Sequence, residues 1–435
     1  MISVDIVFLF IAAVAFLGFV LNAAFERIRI VYILPLMLIG VLVGPVLGFV
    51  NTGSGSVIST LTPYITAITI AIILFDVGLN INIRKLSTII AKATAFTFAI
   101  GVATGVATAI LTSLIFGWTM LDALIFGFAI AGTTTIGMPM IVKLIKLPDS
   151  LKAAIVYESI VSDTYQLIVP TLIFTIIATG SITIPAATYL VLVNVFGAII
   201  LGGITALFWL YVMRRFENYS REYGWLLTLT MIIATYAIAD EAGFSGLLTV
   251  FVFGILFATI GKYESERKGS ISGQIISRYL FIGAAVDHIK EYQKEIAFFT
   301  STFFFVYLGL LFQISAVSYT DILAVALICV VIVVLRFALA PKILRGLMSK
   351  PADTFKRERM MVSLNMARGL SPAIVATFPL VYGVVIPEFV NSIFLVILFT
   401  NVIATAGIFL LSKPIVEEEK PDDKAHSGAA GAKAK

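Results

Sequence analysis

Apolar stretches of twenty or more residues follow one another from end to end of this chain, and they leave few folds open. A run of that length crosses a ~30 Å hydrocarbon core as a helix. In lipid every backbone polar group must be paired within the chain, so only helices and closed barrels span it. The alternating ten-residue segments of a membrane barrel are absent. The reading is therefore an all-α polytopic membrane protein. Charged residues make up 13% of the chain, against about 25% in soluble domains.

Thirteen spans are predicted, at about 4–25, 31–50, 57–80, 87–116, 121–144, 152–179, 184–213, 224–240, 245–261, 295–314, 320–345, 357–381 and 386–412. The first has no basic start and reads as an anchor rather than a cleaved signal. The segment 262–294 mixes Lys262, Arg267, Lys268 and Arg278 with Tyr279, Leu280 and Phe281, and reads as a loop with an interfacial helix. Trp118, Trp209 and Trp225 fall at span ends, as expected of an interfacial belt.

Basic residues test that count. The loops after odd-numbered spans, with the span edges beside them and the C-terminal tail, hold 27 of the 30 lysines and arginines. Loops after even-numbered spans hold none, and Lys92, Arg336 and Arg368 lie within spans. The positive-inside rule then puts the N-terminus outside and the C-terminus in the cytoplasm. Residues 1–413 form the transmembrane domain, and 414–435 read as a disordered cytoplasmic tail. The net charge of +5 follows from those loops and does not call for a nucleic-acid partner. The single cysteine, Cys329, excludes a disulfide framework. With two histidines, His288 and His426, it leaves little for a metal centre, and no HExxH or cysteine–histidine motif suggests an enzyme or a cofactor.

Seven spans separate two similar interruptions. Span 5 is broken by Thr133-Thr134-Thr135-Ile136-Gly137-Met138-Pro139 and span 12 by Ala367-Arg368-Gly369-Leu370-Ser371-Pro372. An odd offset inverts the second copy, so the expected plan is two inverted six-helix repeats with broken crossing helices at spans 5 and 12, and a central site between them.

Ionisable side chains at membrane depth cost several kcal/mol and default to a functional hypothesis. Here they are Asp76, Glu158, Asp163, Arg336 and Arg368. Lys92 lies near a span start, from which it can snorkel. In span 6, Ser159 and Asp163 are four residues apart and share a helix face. They offer a carboxylate and a hydroxyl, hard oxygen ligands for a small cation. The break in span 5 adds the hydroxyls of Thr134 and Thr135 and freed carbonyls. Glu158 and Ser162 share a neighbouring face, and Arg368 is the expected structural partner of Glu158. Asp76 is either a third acidic ligand or a rim residue. Arg336 either balances Asp163 or lines the pathway.

These residues resemble the sodium/proton exchanger branch of the cation/proton antiporter superfamily, the NhaP-type antiporters. The family's Glu-Ser-x-x-Asn-Asp appears as Glu158-Ser159-Ile160-Val161-Ser162-Asp163, and its Leu-Phe-Glu-x-Gly-Leu as Leu74-Phe75-Asp76-Val77-Gly78-Leu79. Its Arg-Gly pair is Arg368-Gly369, and its Thr-Asp-Pro aligns with Thr134-Thr135-Ile136. Ser162, Thr135 and Ile136 depart from the pattern, and Arg336 is an arginine that could have answered the missing span 5 aspartate. The resemblance implies exchange of Na+, or Li+, for H+ across the cell membrane. Asp163 would be the shared carrier, with Na+ held by Asp163, Ser159 and Thr134 and assisted by Asp76. Glu158 and Arg368 would form a structural pair steadied by Ser162. It also implies a homodimer, with a core bundle (about 87–179 and 320–412) moving against a dimer-forming scaffold (about 1–80 and 184–314). Potassium/proton exchange and sodium-coupled carriage of a small solute are the alternative transport readings. One carboxylate trading one cation for one proton would be electroneutral.

Overall fold

The structure is a computed structural model that describes residues 4–28, 33–49, 57–80, 88–134, 149–178, 184–266, 273–347, 360 and 362–411. Among them all regular secondary structure is helical, with no strand. In chain order the helices are α1 (Val4–Ile28), α2 (Ile33–Val41, closing in a π turn over Leu42–Val46), α3 (Val57–Asn80), α4 (Thr88–Phe116), α5 (Met120–Ala129) and α6 (Asp149–Ala178). There follow α7 (Ile184–Arg215), α8 (Glu217–Glu241), α9 (Gly246–Glu266), α10 (Gly273–Leu311), α11 (Tyr319–Leu347), α12 (Leu370–Tyr382) and α13 (Phe389–Leu411). Within α4, α7, α8, α10, α11 and α13 lie described stretches long and apolar enough to cross a membrane. The remaining helices contribute shorter apolar stretches.

Outer faces are apolar. Phe196, Ile200, Ile204, Leu207 and Tyr211 expose one stripe of α7, a surface that needs lipid rather than water. The helices pack in two groups. In one, α9 lies against α3 and α7, while α10 lies against α1, α2 and α3. In the other, α4 packs on α5, α6 and α11, and α12 packs on α6 and α13. Small residues let backbones approach where helices cross. Gly78 of α3 faces the backbone of Phe251 and Gly254 on α9, and a side chain at either glycine would strike the other helix.

One expectation is corrected. The segment 262–294 was expected to hold a loop and an interfacial helix ahead of a separate span at 295–314. Instead α10 runs unbroken from Gly273 to Leu311, about 58 Å at 1.5 Å per residue. Val286, Ile289, Gln293 and Ala297 are buried at helical spacing, while Asp287, Glu291, Lys294 and Glu295 between them are exposed. His288 is exposed on this helix and stacks on Tyr292. Trp118 and Trp209 are buried against neighbouring helices. Trp118 packs on Phe116, Phe126 and Phe389, and Trp209 donates to the Thr228 hydroxyl at 2.9 Å. The tail 414–435 and the side chain of Lys92 lie outside what is described.

Candidate ion site at two broken helices

Helix α5 starts cleanly. Thr119 is its N-cap, and its hydroxyl accepts from the Asp122 amide, satisfying one of the free donors of the first turn. The helix ends after ten residues, and 131–134 continue without helical structure. Gly132 lies against Gln166 and Ser162 of α6, where a side chain would collide with both. The second break, 365–369, precedes α12. The two meet directly: the Thr134 amide donates to the Ala367 carbonyl at 3.0 Å. Gly369 packs on the side chain of Thr134, with no room for a Cβ.

Helix α6 is the floor beneath this crossing. Ser162 brackets the Thr133 backbone: its Oγ accepts from the Thr133 amide at 3.1 Å and lies 2.9 Å from the Thr133 carbonyl. Ser159 Oγ donates to its own helix at Ile155 and lies 3.5 Å from the Thr133 hydroxyl. One turn on, Asp163 is buried, and its Oδ1 accepts a 2.7 Å hydrogen bond from Ser371 Oγ. Ser371 is the second residue of α12. The N-terminus of that half-helix therefore meets the carboxylate, the end that favours negative charge. The arrangement gathers one carboxylate and several hydroxyls, an oxygen set suited to a small hard cation. Among the described residues no group of three or more His, Cys, Asp or Glu comes together as a metal cluster.

The ion pair differs from expectation. Glu158 Oε1 lies 2.9 Å from Arg336 Nη1, with both side chains buried. Arg336 also donates through Nε and Nη2 to the Val362 carbonyl, at 3.3 and 3.0 Å. Arg368 instead donates to the Ile130 carbonyl at 2.6 Å and the Met366 carbonyl at 2.9 Å. A broken helix leaves carbonyls without intrahelical donors, and the guanidinium sits on those of α5 at its negative end. Asn401 of α13 holds the Arg368 carbonyl at 2.6 Å. Ser162 serves the Thr133 backbone in these contacts, not Glu158.

Asp76 faces another way. Gln293 of α10 donates to the Ile72 carbonyl and Lys290 to the Leu79 carbonyl. Residues 72, 76 and 79 share one helix face, and the charges acting on Asp76 are Lys290 and Lys294. Leu74, roughly opposite on the helix, lines a small apolar cavity of about 10 Å3 with Thr164, Leu167, Leu247 and Phe251. Thr135 lies outside the described residues. The sequence reading missed Thr133, Asn401 and Ser371. Ser371 stood inside the interrupted span 12 motif, but a serine two residues past an Arg-Gly pair carries no signal of what it faces.

Comparison with known proteins adds a family. The family model described as "Sodium/hydrogen exchanger, transmembrane" matches residues 10–413. The Na(+)/H(+) antiporter NhaP of Pseudomonas aeruginosa is 27% identical over 152 residues, 34% of this chain and 35% of that protein. Sodium/hydrogen exchanger 4 of Arabidopsis thaliana is 24% identical over 227 residues, 49% of this chain and 40% of that protein. These alignments thus span well under half of either relative. The solved sodium proton antiporter MjNhaP1 from Methanocaldococcus jannaschii superposes with a TM-score of 0.69 at 17% identity, over 93% of this chain and 97% of that one. Its fold is this fold.

Proposed function

Because the chain belongs to the sodium/hydrogen exchanger family, we propose that it exchanges Na+ or Li+ for H+ across the cell membrane by alternating access, with Asp163 as the shared carrier. The observation that carries this reading is the buried Asp163 carboxylate facing the N-terminus of α12, beside the segment where the end of α5 meets the break before α12. A carboxylate there binds a proton or a cation, never both. Protonation releases the cation, and the cation expels the proton. The bare anion crosses rarely, since an unpaired charge at that depth is costly.

Ser159 and Thr134 serve as co-ligands in this reading, and Thr135 as a further one. Glu158 and Arg336 hold α6 to α11 and do not cycle. Asp76, on the α10 side, takes no part in the exchange step. One carrier that trades one cation for one proton moves no net charge, so exchange is electroneutral. The α4–α6 and α11–α13 group moves as the core against the rest as scaffold. About thirteen spans, two inverted repeats, an external N-terminus and a homodimer complete the proposal.

The test is sodium-dependent proton flux in proteoliposomes carrying a pH-sensitive dye. The parent exchanges, and Asp163→Asn inserts and folds but does not. Parental flux in that variant would end the carrier assignment.

A further inference from the structure

We propose that Ser371 is a direct ion ligand, supplied by the break in span 12, that serves the carboxylate of Asp163 in each of its states. The proposal rests on Asp163 being the carrier. Ser371 Oγ is buried and lies 2.7 Å from Asp163 Oδ1. Its place is set by backbone rather than by a flexible stem. Gly369 lets the chain close on Thr134, α12 begins at Leu370, and Pro372 stands in the first turn, where its missing amide hydrogen costs nothing. The carboxylate of Asp163 and the hydroxyl of Ser371 therefore converge beside the junction of Thr134 and Gly369.

A hydroxyl has one donor and two acceptor lone pairs. With Asp163 bare, Ser371 donates to it across the 2.7 Å contact. With Asp163 protonated, the new acid hydrogen needs a buried acceptor, and the same Oγ accepts it. With a cation bound, the hydroxyl turns its lone pairs to the ion beside the carboxylate. No alanine or valine at this position could do any of the three.

The experiment measures exchange rate against Na+ and Li+ concentration in proteoliposomes for Ser371→Ala, Ser371→Thr and Ser371→Cys, with Asp163→Asn alongside. Losing one oxygen from the shell of the bound cation predicts half-saturating Na+ and Li+ raised about tenfold in the alanine variant. Maximal rate stays within about twofold, as befits a lost ligand. Threonine, which keeps the hydroxyl, restores the parental value. Cysteine, of similar size with a soft sulfur, does not, and it covers the case in which alanine fails to fold. Parental half-saturation in the alanine or cysteine variant overturns the proposal, as does a loss of maximal rate alone. If Asp163→Asn still exchanges, the carrier reading has failed. If it is dead while the Ser371 variants match the parent, only the role of Ser371 has.

Discussion

Glu158 carries its charge deep inside the protein, and what it touches decides what it costs. Its partner is Arg336, so removing either side strands a buried charge, at about 3–5 kcal/mol. Glu158→Gln and Arg336→Met should each lower the melting temperature in detergent, and the double variant should recover part of the loss. The same cycle with Arg368→Met should be close to additive, since Arg368 is spent on the carbonyls of Ile130 and Met366. Equal coupling to both arginines would contradict this pairing. That both arginines and Glu158 are buried was legible from their place inside apolar runs. Which arginine reaches Glu158 was not. Spacing along one helix does not rank partners on two others, and a broken helix exposes carbonyls that compete for a guanidinium.

The break before α12 was visible in its Gly and Pro residues, and the end of α5 falls at the start of the interrupted span 5 motif, whose Gly137 and Pro139 lie outside the described residues. Their contact was not visible, being made by the Thr134 amide and the Ala367 carbonyl, groups every residue has. The crossing has no slack at Gly369. Gly369→Ala should abolish exchange or lower the melting temperature sharply. Thr134→Ala should not rescue it, since the added Cβ would also lie 2.7 Å from the Thr134 Cβ. A functional Gly369→Ala protein would refute this packing. α10 shows the opposite lesson. Its charges suggested a loop, yet the helix is continuous and buries Val286, Ile289 and Gln293 among them. Amide hydrogen exchange should find one protected stretch over Ala284–Leu311. A fast-exchanging gap near residue 295 would restore the two-segment reading.

At the scale of the whole molecule, the alternation of basic loops gave an orientation that packing alone does not fix. A reporter fused after Lys435 should respond only as a cytoplasmic probe, and labelling of the tail from outside intact cells would reverse it. Fold class was legible because apolar length admits few alternatives, and the match to MjNhaP1 bears it out. The account's central claim is that a single carboxylate, Asp163, trades one cation for one proton. Asp76 is turned toward the lysines of α10 and Glu158 is held by Arg336, which leaves Asp163 to carry the exchange step among the described carboxylates. The direct measurement is exchange in liposomes clamped with potassium and valinomycin, at fixed sodium and proton gradients. The account expects the same rate at zero and at about −100 mV, a drop worth about 2.3 kcal/mol per elementary charge moved. A rate that changes several-fold between the two would contradict it.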